Sequence, residues 1–537
     1  MRAKTLQQLP SELLCHTLSF LDAYDLVRVR KTCRALKGII DNSEMLQYAI
    51  DLGYFQMIPG SSETDVPTAT RRKQLRLYDA ARQRVDYKVK YTLSSSKQGL
   101  EHVYAFGGGI YGSAAEDLIH FTRLPSASDS GDIYSWSYPV DSTTFLNFTF
   151  CVAQDLLILS TRSLNLRSHA YEIHLKSLTT YQTHPDAAQP FLKVLDQYNV
   201  DHRSLHPRSH MKLQIIGNYV CMLCRAVISN GDDYLDAMQL WDWKSKNGYQ
   251  FTFFFAYDIS DYSFITEDRF LVFVTSGAME IYSIVDKSKH PQRTASISLP
   301  TLVDSFEYTD VFMSQNPTPS DNFLYSRKSH QQPSCSFHPS GDDGLIVILV
   351  WVGPMREDHS LLDQSLHYRF VVRRSAILEF ESSFVRIPGQ LGSNSPRLRW
   401  SMWGPQNTSW FHVHDNEDWH TSLNGFRTVE SVNESSPDHF SDDPRRLYIR
   451  DFNPHIAWNY SAVDKSGWRS EIIPAREVHG TISYPFTEPL GCALAYRESS
   501  SEELFDVSEI LSDESRILLI RVSRNLILVP PGDNELR

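Results

Sequence analysis

The sequence has no long apolar run. Its longest, Leu345 to Val352, falls far short of the roughly 20 residues a membrane-spanning helix needs and fits a buried strand. The opening residues, MRAKTLQQLP, hold no apolar signal core, so secretion is not expected. Cysteine is sparse: seven residues, scattered and odd in number, which suits reduced thiols in the cytoplasm or nucleus. The sequons at Asn147, Asn407, Asn433 and Asn459 are therefore not expected to be glycosylated. Positive charge is also short, with 52 Lys and Arg against 64 Asp and Glu and a net charge of −12. The deficit is uneven. Residues 1–97 carry 16 basic and 10 acidic side chains, a balance of +6 that leaves −18 for the rest. An acidic body repels polyanions, which argues against nucleic-acid binding. No nucleophile elbow, H-E-x-x-H pair or kinase signature is present, and no catalytic residue or cofactor is assigned.

What is present is enough apolar material to fold, 41% of 537 residues, in a chain long enough for one small domain and one large one. From Leu6 to Gly53 the spacing predicts three short helices. Pro10 suits a first helical turn, with Ser11 and Glu12 at the positive end of the dipole. Leu13, Leu14, Leu18 and Leu21 then make an apolar stripe. Asp22 and Asp25 mark a second start, after which Leu26, Val29, Cys33, Leu36 and Ile40 recur at helical spacing. Asp41 and Glu44 open a third helix carrying Met45, Leu46, Ala49 and Ile50, which Gly53 can end. So small a bundle has more apolar positions than it can hide within itself, which implies a partner surface.

The order of these residues resembles the F-box family. Leu9-Pro10, Glu12-Leu13-Leu14, Leu18 to Leu21, Asp25-Leu26 and Val29 to Leu36 stand where the family has Leu-Pro, Glu-Leu-Leu, Leu-x-Phe-Leu, Asp-Leu and Val-x-x-x-Cys-Arg-x-Leu. The resemblance covers under a tenth of the chain. It implies docking on the Skp adaptor protein, and through it on a cullin scaffold. Leu9, Pro10, Leu13, Leu14, Leu18, Leu21, Leu26 and Val29 are the adaptor-binding residues it implies, although some must instead hold the helices together.

Beyond the first module, Gly60 to Thr68 reads as a loop. Thr68 to Val85 reads as a basic helix, with Arg71, Arg72, Lys73, Arg76, Arg82 and Arg84 around Leu75 and Tyr78. A solvated connecting helix packed on the large domain is the reading preferred over a nuclear-localisation patch. From Tyr87 onward helical periodicity gives way to strands, several in pairs: Asp155–Ser160 with Ala170–Leu178, Tyr219–Cys224 with Tyr234–Trp243, Phe270–Val274 with Met279–Val285, and Leu345–Val352 with His367–Leu378. Trp410–His414 with Leu447–Phe452 predicts a further unit, and Arg516–Val522 with Asn525–Val529 a closing one. The apolar members recur at steps of 51 to 75 residues, which fits four-stranded propeller blades with long loops. Leu240-Trp241-Asp242 followed by Asn247-Gly248 resembles the end of a WD-repeat blade. The expected architecture is therefore α + β and multidomain: an F-box over 1–58, a loop and basic helical linker over 59–86, and a β-propeller of six to eight blades over 87–537. The apolar strands are expected innermost. Stacked β-sandwiches are the alternative.

Four further patterns carry residue types that could do chemistry. The glycine-rich FGGGIYGS stretch, Phe106 to Ser113, lacks the Lys-Ser/Thr of a phosphate loop and reads as a strand turn. Cys221 and Cys224, three apart in a strand, point to opposite faces and cannot share a metal. His412, His414, Asp415, Glu417, Asp418 and His420 offer mixed ligands, but the stretch also makes an ordinary hairpin, and no metal site is assigned. Glu498 to Asp513 is acidic and serine-rich, read as a solvated loop. The expected function is the substrate-recognition subunit of a Skp–cullin–F-box ubiquitin ligase. It would be non-catalytic and intracellular, with an unknown protein substrate and neither a membrane nor a nucleic-acid partner. A cullin-independent F-box scaffold and a propeller hydrolase are the rivals.

Overall fold

The computed structural model of the chain describes residues 9–59, 66–85, 91–94, 103–115, 117–125, 133–164, 169–195, 211–227, 234–246, 248–255, 259–314, 337–340, 343–355, 365–385, 397–413, 422–433, 444–455, 468–476, 483–507, 509–513, 516–520 and 525–529. Four helices open it rather than three: α1 (Ser11–Leu18), α2 (Ala23–Arg30), α3 (Arg34–Asn42) and α4 (Glu44–Tyr54). The seam from Leu26 to Ile40 is interrupted. The Lys31 and Thr32 amides close onto the carbonyls of Arg28 and Val29. Cys33 is extended and its Sγ accepts the Leu36 amide at 3.5 Å, capping a new helix. Asp22 caps α2 as expected, accepting the Asp25 amide at 2.7 Å. Ser43, not Asp41, caps α4, and Asp41 pairs with Arg30 instead. Gly53 lies within α4 rather than ending it. A Cβ there would come within 2.1 Å of the Ala23 Cβ, so this glycine is what lets α2 and α4 cross closely.

After α5 (Thr68–Arg84) the described strands form seven antiparallel sheets of four or five strands. Sheet 1 holds Val103–Gly107, Ile110–Ala115, Leu118–Arg123 and Tyr134–Pro139. Sheet 2 holds Phe145–Cys151, Leu156–Arg162, Tyr171–Ser177 and Phe191–Val194. Sheet 3 holds Lys212–Ile216, Tyr219–Val227, Tyr234–Asp242 and Gln250–Phe254. Sheet 4 holds Ile259–Thr266, Arg269–Val274, Ala278–Ser283 and Gln292–Ser298. Sheet 5 holds Phe306–Met313, Leu345–Pro354, Leu366–Arg373 and Thr408–Val413. Sheet 6 holds Ser422–Asn424, Arg427–Val432, Arg445–Asp451 and Tyr496–Phe505, with Trp468–Ile473 added outside. Sheet 7 holds Glu509–Ser512, Ile517–Ile520, Asn525–Val529 and, from far upstream, Tyr91–Ser94.

Each neighbouring pair of sheets is sealed by its own apolar cluster. Phe121 and Leu157 join sheets 1 and 2, and Ile173 and Trp241 join 2 and 3. Tyr262 and Leu240 join 3 and 4; Phe273 and Ile348 join 4 and 5. Val347 and Phe452 join 5 and 6; Ile449 and Leu519 join 6 and 7; Leu518 and Tyr111 join 7 and 1. The succession returns to its start, so the sheets form a closed ring, a β-propeller and not a sandwich.

Two features of the expected ring are corrected. The apolar strands are not innermost. Leu156–Arg162, Tyr219–Val227, Arg269–Val274 and Leu345–Pro354 are each second in their sheets. The strands that meet their counterparts in the next sheet are the first ones, as Val103–Gly107 meets Phe145–Cys151 and Ile259–Thr266 meets Phe306–Met313. A second strand has partners on both edges and a sheet on both faces: Leu156 and Ile158 face sheet 3, Leu157 and Leu159 face sheet 1. That double burial, not nearness to the axis, produces the unbroken apolar run. The expected strand His367–Leu378 stops at Arg373 and gives way to α6 (Arg374–Val385), which packs on the outer strand of sheet 4; α7 (Trp400–Asn407) follows. Trp410 therefore starts no new unit but lies in the outermost strand of sheet 5. Leu240-Trp241-Asp242 does end a third strand, with Gln250–Phe254 paired beside it; Asn247 lies outside the described residues.

Candidate functional site: an apolar helical face held on the propeller

The eight residues expected to bind the adaptor separate into two groups. Leu14, Leu18 and Leu26 are buried within the chain, and Leu21 and Val29 pack half-buried against the cluster of Leu18, Leu26, Ile40 and Leu46. Leu9, Pro10 and Leu13 are exposed, Leu13 by 52%. Three apolar residues outside the expected set join them: Phe20 at 77%, Tyr24 at 65% and Met45. Among the described residues thirteen large apolar side chains are exposed, and five of them fall between Leu9 and Met45, which makes this module the main concentration of unburied apolar surface. Leu9 and Pro10 lead into α1, Leu13 lies on its first turn, and Phe20 and Tyr24 flank the turn into α2. The chain keeps its helical curl to Phe20, whose amide reaches the Thr17 carbonyl. The His16 ring meets Phe20 edge-on at 5.1 Å, and the Arg28 guanidinium lies over the Tyr24 ring.

This module is tied to the ring through α4 and α5. The basic helix spends two of its charges on one buried carboxylate: Arg72 Nε and Arg76 Nε donate to Asp51 Oδ2 at 2.8 and 2.6 Å. Arg72 also reaches Glu44 and Gln47. Tyr48, Leu52, Met57 and Leu75 form an apolar joint around Phe55, Tyr78 and Phe337. Past α4 the chain becomes a short strand, Met57–Pro59, which pairs antiparallel with Phe337–Pro339 from the connection between the first two strands of sheet 5. The Tyr54 hydroxyl donates to the His455 carbonyl at 2.8 Å, Asn453 Nδ2 donates to the Tyr54 carbonyl, and Arg427 donates to the Arg82 carbonyl. Asp79 is enclosed at this joint. Burial pushes its carboxyl up to about 7; Arg82 and Arg497 pull it down, Asp451 pushes it up further, and Gln83 Nε2 donates to it. The basic helix is thus packed on the large domain, the reading preferred for it.

All these ring contacts are made at turns between first and second strands or at the far ends of third strands, which lie on one face of the ring. The strands flanking residues 196–210, 228–233, 356–364, 414–421 and 434–443 open onto the opposite face.

The remaining candidates resolve simply. The glycine-rich stretch is the turn from Val103–Gly107 to Ile110–Ala115, with Gly108 and Gly109 both at positive φ. Cys221 and Cys224 belong to clusters on opposite faces of sheet 3, and burial pushes the Cys224 thiol up to about 12 and Cys221 higher still. His412 is exposed on the outer strand of sheet 5; His414, Asp415, Glu417, Asp418 and His420 lie outside the described residues. Among the described residues no group of three or more His, Cys, Asp and Glu is placed to hold a metal, and no helix is long and apolar enough to cross a membrane. Between sheets 5 and 6 lies a buried charge chain that sequence reading missed. Arg369 pairs with Glu430 at 2.6 Å, Arg450 reaches the same carboxylate, and Arg450 Nε donates to Glu498 at 2.7 Å. Burial pushes the Glu430 carboxyl up, but the two guanidiniums outweigh it and hold it below the usual range.

Residues 6–48 match the F-box domain model. The chain thus carries an F-box domain followed by a β-propeller. No curated protein matches it. Among solved structures it is similar to the β-propeller domain of Cps50 (Swd1) from Myceliophteria thermophila, at 9% identity over 82% of this chain and 99% of that one, with a TM-score of 0.35. The C-terminal WD40 domain of Sif2 matches at 10% identity over 83% and 98%, TM-score 0.35. The WD40 domain of SCAP from fission yeast matches at 10% identity over 80% and 81%, TM-score 0.31. The closed ring described above rests on its own strand pairing, independent of these likenesses. F-box domains in general bind the Skp adaptor and are typically recognition modules without catalysis, and an F-box followed by a propeller fits a substrate-recognition role in general.

Proposed function

We propose that this protein is the substrate-recognition subunit of a Skp–cullin–F-box ubiquitin ligase. The F-box (1–58) would dock on the Skp adaptor and through it the cullin, the linker (59–86) would fix its position, and the propeller (87–537) would bind the protein to be modified. The observation that carries this reading is an F-box whose Leu9, Pro10, Leu13 and Phe20 are left uncovered by the rest of the chain. Leu14, Leu18, Leu21, Leu26 and Val29 support that face from beneath. The target would engage the ring on the face away from the F-box, which the F-box joint leaves uncovered. The contribution to catalysis is proximity: a held target presents its lysines at high effective concentration to the loaded ubiquitin carrier. The working compartment is the cytoplasm, the nucleus or both.

The test is adaptor capture by the full chain. Leu13→Ala with Phe20→Ala removes exposed anchors and should abolish co-purification of the Skp adaptor and cullin, each anchor contributing about 2 kcal/mol or more. The far-UV spectrum and melting of the ring should be unchanged. Undiminished adaptor capture would overturn the docking face; capture of the adaptor with no cullin would leave a cullin-free scaffold in its place.

A further inference from the structure

Sheet 5 stands taller than its neighbour. Its second strand, Leu345–Pro354, has ten residues, while the second strand of sheet 6, Arg427–Val432, has six. The two are aligned at the F-box end, where the Leu345 amide donates to the Gly425 carbonyl at 3.0 Å. The excess length therefore emerges at the opposite face, the one assigned above to the target. The sheet 5 wall towards sheet 6 changes character along that rise. Nearest the F-box it is apolar, with Leu345, Val347 and Val371 in the shared cluster. Next comes Arg369, held by Glu430. Above that the register places Asp310, Trp351 and His367 side by side in one row, opposite one another on three strands, with Glu307 beside Gly353 one row further. This row is level with the end of the facing strand of sheet 6.

The row forms a part-exposed aromatic lip. The Trp351 and His367 ring centroids are 4.9 Å apart, and Phe312 meets Trp351 at 5.6 Å in an edge arrangement. On the facing wall Arg369 and Arg450 are neutralised by Glu430 and Glu498, and the Arg446 guanidinium donates to the Ser501 carbonyl on the next strand outward while keeping its charge. At the lip the two carboxylates of Glu307 and Asp310 outnumber that one guanidinium, on a body whose net charge is strongly negative. Aromatic faces beside carboxylates attract cations: the ring quadrupole and the carboxylates act in the same direction.

We propose that the Asp310–Trp351–His367 row, with Phe312 beneath it, is a subsite for a basic side chain of the target polypeptide. It rests on the receptor reading, which it deepens by naming the chemistry of the bound segment. The ion-paired layer below gives the subsite a rigid floor, so the lip is set before a target arrives.

Fluorescence anisotropy of labelled hexalysine, hexa-arginine and hexaglutamate peptides with the full chain tests this. The basic peptides should bind and hexaglutamate should not. Trp351→Ala and Asp310→Asn should each weaken binding about fivefold, and Trp351→Phe, which keeps a ring, should weaken it less. Glu471→Gln, on the exposed outer strand of sheet 6, should leave it unchanged. Equal affinity in wild type, Trp351→Ala and Asp310→Asn, or equal binding of hexaglutamate, would overturn the proposal. Adaptor capture is measured on the same proteins. Its retention by Trp351→Ala shows the F-box intact, and its failure in the wild type would sink the receptor reading while the anisotropy still decides the lip.

Discussion

Asp79 sits where the F-box helices meet the ring, and its carboxyl is pushed from an ordinary 3.8 up to about 7. The difference of about three units corresponds to roughly 4 kcal/mol between the charged and neutral forms. The sign follows from which state binds the proton more tightly. The folded protein keeps Asp79 protonated at pH values where the unfolded chain has released the proton, so acid stabilises and alkali removes that stability. The contribution is full below about pH 4, declines through the interval up to about 7, and is gone above it. Between about pH 8 and about pH 5, two units below the folded value, the gain should be about 3 kcal/mol. Asp79→Asn keeps an oxygen to accept from Gln83 but cannot ionise. It should be more stable than the wild type at about pH 8 and should lack this share of the pH dependence. Urea unfolding followed by tryptophan fluorescence at both pH values, for both proteins, isolates the group because every other titration is common to the pair. If the two proteins change in parallel from about pH 5 to about pH 8, Asp79 is not held in the environment described and the joint is packed differently.

Gly53→Ala places a methyl within 2.1 Å of the Ala23 Cβ; overpacking at the upper end of the usual range, about 3 kcal/mol, offset by about 1 kcal/mol of helix propensity, should lower F-box stability by about 2 kcal/mol in limited proteolysis. Adding Ala23→Gly should restore the space, and no recovery would place the clash elsewhere. Glu430→Gln leaves Arg369, 1% exposed, without its counter-charge, and should cost about 3–5 kcal/mol by denaturant midpoint. A loss within about 1 kcal/mol would mean the pair is solvated.

The F-box was legible because its information is local. Side chains three and four apart in Leu13 to Leu21 and Leu26 to Ile40 report one helix face without reference to anything distant. What that pattern could not reveal was the break at Lys31–Cys33, since a turn that restarts a helix in similar phase leaves the seam intact. Nor could it divide Leu13 from Leu14, adjacent in sequence and opposite in exposure. In the ring, the second strands of sheets 2 to 5 are legible because double burial leaves an unmistakable run, as at Leu156–Leu159 or Phe270–Val274, whereas sheet 1 and the axial strands offer no such run. Strand rank was misread because the axial strands hold polar residues satisfied only in three dimensions. Asp261, on the first strand of sheet 4, is buried against Lys212 of sheet 3 and the Met313 amide of sheet 5. From the sequence alone such a residue argues against a buried strand. The charge chain from Arg369 to Glu498 was invisible for the same reason: its members lie on four strands of two sheets.

The pairing of Tyr91–Ser94 with Asn525–Val529 sets an order of events. A ribosome makes the F-box and the closing strand first, and the strand that receives it last. Until then Tyr91–Ser94 has no partner in the ring, and sheet 7 cannot shield Tyr111 on one side or Ile449 on the other. The F-box helices are therefore complete hundreds of residues before the ring can close, and the growing chain passes through a long period with a finished F-box and an open ring. A chain cut short before Asn525 would remain in that condition, its F-box folded and its last sheet without the strand that closes it.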